Sequence, residues 1–148
     1  MTEILNADLI LDEIVSKVGA IDGVTSLDGF LVHYADDLLN QDDSLGFPCV
    51  AVQLSTEDTD GDNGGKLKLT RTYKVIGAVD ALDAKIVNKN LNKLLHDVRV
   101  ALYSDQYKAN SSKASKVELS GVKFKLPDSS DVYALFEATL TTTYIETI

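Results

Sequence analysis

The segment Asp58 to Gly65, DTDGDNGG, holds the densest set of possible ligands in the chain. Asp58, Asp60 and Asp62 alternate, which is the spacing of the first three ligands in a calcium-binding EF-hand loop. The match ends there. The position that needs glycine for the sharp turn holds Asn63, and the position of the bidentate glutamate holds Leu69. The motif also requires flanking helices, and the neighbouring residues have strand periodicity instead. The segment therefore reads as the tip of a hairpin. Its glycines and unpaired carboxylates offer no packing to offset the entropy of ordering it, so the tip is expected to be mobile.

The remaining reactive residue types are sparse. There are two histidines, His33 and His96, and one cysteine, Cys49. His96 and Asp97 are adjacent on an expected helix and so do not face each other, which excludes a dyad. Two histidines and one cysteine fall short of the usual ligand set for zinc. Cys49 follows Pro48 in an expected strand and reads as a small buried side chain rather than a nucleophile. No GxSxG, P-loop or GxGxxG pattern occurs. No catalytic residue, metal or other cofactor is expected, and the chain is read as a non-enzyme.

The elements that would position these residues are legible from periodicity. Ile10, Leu11, Ile14 and Val18 recur at helical spacing, with Asn6 as the expected N-cap and Gly19 as the expected stop. Phe30, Val32 and Tyr34 alternate and suggest a short strand over 29–34. Residues 35–47 are acidic and lead into Pro48, which disfavours helix before it, so they read as a loop, with a single helical turn over Asp36 to Asn40 as the alternative. Residues 49–56, CVAVQLST, read as a strand, and Lys66 to Val79 alternates for a long way. Leu67, Leu69, Tyr73 and Val75 share one face of that strand. Arg71 falls on the same apolar face, which calls for a bulge or a place near the sheet edge. Val87, Leu91, Leu94, Leu95, Val98 and Leu102 make one stripe of a second helix over about 83–102. Residues 103–116 are polar, rich in Ser and Lys, and unpatterned, so a flexible loop is expected there. The last third is β: a strand over 117–126 interrupted at Gly121, a turn over 127–131, and a long closing strand over 132–144. The order α–β–β–β–α–β–β predicts a single α+β domain over residues 1–148, with a mainly antiparallel sheet of four to five strands and two helices packed on one face.

Composition narrows the setting. The chain has 148 residues, enough for one core, and a net charge of −9 at pH 7. Residues 1–65 hold 14 acidic side chains against Lys17 alone, whereas residues 66–148 hold 13 basic against 9 acidic. The acidic half argues against sequence-independent duplex binding, which needs clustered cations against phosphate, and no sequence-specific nucleic-acid partner is expected. The N-terminus is acidic where a signal peptide is basic, and no apolar run reaches membrane-spanning length. A protein made in the cytoplasm, with no membrane partner, is expected.

Taken in order, these features resemble the tail-terminator family of long-tailed bacteriophages, also called tail-completion or minor tail proteins. The resemblance rests on an opening helix over Leu9 to Val18, a proline-led strand FPCVAVQL, a long strand KLKLTRTYKVIGAV, a helix NKNLNKLLHDVRVAL and a closing pair of strands. The acidic segment Ala35 to Gly46 is longer than that pattern requires. The resemblance implies a structural virion protein, assembled in the host cytoplasm and placed in the tail or neck. It would form a hexameric ring that caps the tail tube, ends its polymerisation and provides the surface for head attachment. Its implied partners are copies of itself, the tail-tube protein and the head–tail connector protein, with the genome passing through the ring. The alternatives are another head–tail connector or a tail-tube subunit, and a small-ligand-binding α+β domain.

In such a ring each subunit presents two different surfaces to its neighbours, so the charge asymmetry suggests where they meet. Asp36, Asp37, Asp42 and Asp43 are expected to approach Lys108, Lys113 and Lys116 of the next subunit. The tip residues Asp58, Asp60, Asp62 and Asn63 are further interface candidates.

Overall fold

A computed structural model describes residues 5–28, 47–80, 85–103, 114–125 and 133–148. The elements are α1 (Asn6–Gly19), β1 (Thr25–Asp28), β2 (Cys49–Asn63), β3 (Lys66–Asp80), α2 (Val87–Tyr103), β4 (Ala114–Lys125) and β5 (Tyr133–Thr147). One five-stranded sheet has the order β1-β2-β3-β5-β4. Every pairing is antiparallel except β1 with β2, which is parallel. The class is α+β, as periodicity predicts.

The core lies between the two helices and one face of the sheet. Ile10, Ile14 and Val18 of α1 are fully buried, and the α2 stripe from Val87 to Leu102 is buried at every position predicted for it. Both helices meet a row that runs through Val50, Val52, Tyr73, Val75, Phe136, Ala138 and Leu140. Period-two alternation along β5 puts Ala134, Phe136, Ala138, Leu140, Thr142 and Tyr144 on this face, all buried. Among the described residues no helix covers the opposite face, which carries a small buried patch at one end. There Cys49, Ala51 and Ala78 lie buried among Phe47, Ile76, Tyr133 and Leu135. The Phe47 and Tyr133 rings stack with centroids 6.1 Å apart.

Several local expectations need correction. Asn6 is the first helical residue, not the N-cap; Leu5 occupies that position and supplies no side-chain hydrogen bond. The cap comes from the far end of the chain. Glu146 of β5 accepts the backbone N–H groups of Asn6 at 2.9 Å and Ala7 at 3.1 Å, and Asn6 Nδ2 donates to the Ile145 carbonyl at 2.7 Å. A carboxylate there satisfies orphan donors and suits the helix dipole. Gly19 is not a left-handed stop; the helix closes on Ala20 at φ −79°. The missing side chain matters differently, because a Cβ on Gly19 would meet Ser26 Oγ at 2.6 Å, so glycine lets β1 lie against α1.

The first strand is Thr25–Asp28, four residues before the predicted one. It pairs with Cys49–Val52. The predicted strand over 29–34, the predicted loop over 35–47 as far as Gly46, and the predicted turn over 127–131 lie outside the described residues. Of the loop predicted over 103–116, Tyr103 belongs to α2 and residues 114–116 to β4, and the rest lies outside the described residues. Gly121 interrupts β4 as expected, at φ +64° within a register shift between Ser120 and Lys123.

Candidate functional site

The segment read as a mobile tip is strand. β2 continues to Asn63, paired residue by residue with β3 until Asn63 faces Lys66, so only Gly64 and Gly65 form the turn. Both have positive φ, +59° and +88°, the requirement of the tight hairpin turn that matches strand twist. Backbone pairing, rather than side-chain packing, orders the segment, because every residue from Leu54 to Lys66 is exposed. β5 runs alongside, pairing with β3 down to Thr147 opposite Lys66. The result is a three-stranded arm.

Two bulges set which side chains meet along the arm. A register shift between Leu54 and Thr56 moves Glu57 opposite Arg71. Without the extra residue, Thr56 would face Arg71 and Glu57 would point to the other face. A second shift between Thr59 and Gly61 restores the register needed for a two-residue turn. Asp58 then pairs with Thr70 and Asp62 with Leu67, which are three residues apart on β3. The two carboxylates consequently point to opposite faces and cannot close on one ion. The Asp60 carboxylate accepts a hydrogen bond from the Thr70 hydroxyl. Among the described residues no group of three His, Cys, Asp or Glu side chains is placed to hold a metal ion.

Arg71 sits on the helix-covered face of a central strand, with no register shift in the β3–β5 ladder beside it. Of the two placements expected for it, the sheet edge is excluded and the bulge is found in the neighbouring strand. Its Nε donates to Glu57 Oε1 at 2.9 Å, and its guanidinium lies 5.6 Å from the centroid of the Tyr144 ring. The Tyr144 hydroxyl donates to the same Glu57 oxygen. Burial works to lower the Arg71 pKa, but the hydrogen bond to Glu57 and the charges of Tyr144, Glu57 and Tyr73 together outweigh it, and the net shift is upward. Burial, then the bond to Glu57, raises the Tyr144 phenol above its ordinary value. The group is an ionic clasp joining β2, β3 and β5. Its signal in the sequence is Arg71 itself, a charge in an apolar row, but its partner depends on the bulge.

Cys49 is buried, and burial raises its thiol pKa from 9.0 to about 11. A thiol so held is a poor nucleophile. A concavity of about 290 Å³ lies where Asp22, Phe47, Asp80, Asn90, Lys93 and Asp97 converge. It is at the small end of ligand-pocket sizes, and its lysine is already paired with Asp97 at 2.8 Å.

Of the predicted interface residues, Asp58, Asp60, Asp62 and Asn63 all lie along β2, exposed. Asp36, Asp37, Asp42, Asp43, Lys108 and Lys113 lie outside the described residues. The backbone of Lys116 is in β4, opposite Thr143. A feature that periodicity did not mark is Tyr103, at the end of α2. Its hydroxyl donates to the Leu119 carbonyl at 3.0 Å and accepts the Leu119 N–H.

No protein-family model matches the chain, and no curated protein matches it at a significant level of similarity.

Proposed function

We propose that the chain is a structural assembly protein that forms a hexameric ring on the end of a phage tail tube. The ring would end tube growth and offer the surface to which the head attaches. Copies of itself, the tail-tube protein and the head–tail connector would be its partners, in the tail or neck of the virion. The observation that carries the reading is the arm: ten consecutive residues of β2, Leu54 to Asn63, are exposed beyond the core, held in extended strand. Exposed strand of this length is a template for another chain, and its two bulges and four carboxylates restrict which edge it can pair with. The resemblance supplies the rest, since its order of helix, proline-led strand, long strand, helix and closing strand pair is also the order of the fold.

Light scattering on the purified protein, alone and mixed with tail tubes, tests this reading. One closed ring species, formed alone or on tube ends, is the expected result. Open-ended tubes would mark a tube subunit instead. A monomer that stays inert beside tail tubes overturns the proposal.

A further inference from the structure

The two outer edges of the sheet differ in charge and in how they are closed. At one edge, β1 covers β2 only from Cys49 to Val52. From Leu54 to Asn63 no strand among the described residues pairs with the outer side of β2, a length of about 33 Å at 3.3 Å per residue. This stretch carries Glu57, Asp58, Asp60 and Asp62 and no base. At the other edge, β4 carries Lys116, Lys123 and Lys125 against Glu118 alone, and Lys123 and Lys125 are exposed. Among the described residues, Tyr103 meets its outer side at Leu119. The Leu119 N–H and carbonyl both bond the Tyr103 hydroxyl, so both point away from β5, and the hydroxyl holds the place of a neighbouring strand.

We propose that a second copy of this chain docks its β2 edge on the β4 edge, extending the sheet from subunit to subunit and displacing the Tyr103 hydroxyl from Leu119. Charge decides between the possible contacts. Pairing β2 with β2 would set four carboxylates against four, whereas β2 against β4 sets acidic residues against basic ones. Such a contact joins two different surfaces, so it repeats from copy to copy and can close a ring. Backbone hydrogen bonds supply the adhesion of an added strand. The exposed charge pairs, each worth about 0–1 kcal/mol, select the partner edge and its register. The inference rests on the reading that this chain assembles from copies of itself, and it names the contact.

Two paired variants test it. Asp58→Lys with Asp62→Lys reverses the β2 edge while leaving Glu57 and Asp60, which bond Arg71 and Thr70. Lys123→Glu with Lys125→Glu reverses the β4 edge. The side chains changed are exposed, and circular dichroism verifies that each variant is folded. Light scattering across a concentration series should show each variant alone needing about tenfold more protein to assemble than wild type. That corresponds to about 1.4 kcal/mol in all, as the attraction between the edges turns to repulsion. An equimolar mixture should recover wild-type assembly, because each reversed edge then meets its complement. Tyr103→Phe, which frees Leu119, should assemble at lower concentration than wild type.

Rings that form normally from both reversed variants would overturn the edge contact and leave the ring reading intact. A mixture that fails to recover would overturn the pairing of these two edges. Harder assembly of Tyr103→Phe would overturn the displacement of its hydroxyl. A wild-type protein that stays monomeric, with and without tubes, would sink both proposals.

Discussion

Of the described glycines, Gly77 of β3 is the one whose added Cβ would lie closest to its neighbours, and alanine there should be costly. A Cβ built on Gly77 would lie 2.2 Å from Phe136 Cε2, 2.5 Å from Phe136 Cζ and 2.9 Å from Leu94 Cδ2. Phe136 is fully buried and Leu94 nearly so, which leaves neither an easy path out of the way. Overpacking of this kind costs about 1–3 kcal/mol, and two rigid ring atoms place this case at the upper end. Alanine ordinarily gains roughly 0.5–1 kcal/mol over glycine within a strand. The net loss should be about 2 kcal/mol. With a urea dependence near 2 kcal/mol/M, the unfolding midpoint should fall by about 1 M at unchanged slope. The double variant with Phe136→Leu should be more stable than the sum of the single effects predicts, by about 1 kcal/mol, because the shorter side chain makes room for the methyl group. A Gly77→Ala midpoint within about 0.3 M of wild type, or strict additivity in the double variant, would refute the reasoning.

Three further outcomes follow from the same structure. At pH 8 the raised pKa of Cys49, about 11 against 9.0, leaves about 100-fold less thiolate than in the unfolded chain, so a chromogenic disulfide reagent should react far more slowly with native protein than in urea. By linkage the neutral thiol stabilises the fold fully below pH 9, and that contribution is lost as pH rises towards 11. Wild type should therefore lose more stability than Cys49→Ala between pH 8 and 10.5, and equal losses would contradict the burial. Glu146→Ala removes the carboxylate that accepts two N–H groups at the start of α1 and should cost about 1 kcal/mol. That lowers the Tm by roughly 2–4 °C in a chain of this size. Unchanged amide protection over Asn6 to Ile10 would show that the cap contributes nothing.

Both helix stripes and the alternation of β3 and β5 were legible in the sequence, because neighbours three, four or two residues apart record which face is buried. The α2 residues from Val87 to Leu102 are buried as their spacing requires. Local chemistry read the ends less well. Asn6 looks like a cap, but the chain supplies Glu146 from 140 residues away. The DTDGDN segment looks like loop, since glycine and aspartate disfavour strands. β3 and its turn nevertheless hold it in register, and backbone pairing outweighs propensity. Arg71 signalled an irregularity, but only the bulge after Leu54 determines that Glu57 answers it. Thr25–Asp28 carries too little pattern to announce a strand and becomes one through Cys49–Val52 beside it. The edges are the same kind of case. Acidic β2 and basic β4 can be read as charges in the sequence. That they bound opposite sides of one sheet follows from the strand order β1-β2-β3-β5-β4. Periodicity is stored among near neighbours, whereas strand order and register depend on contacts between distant segments, which tertiary packing alone decides.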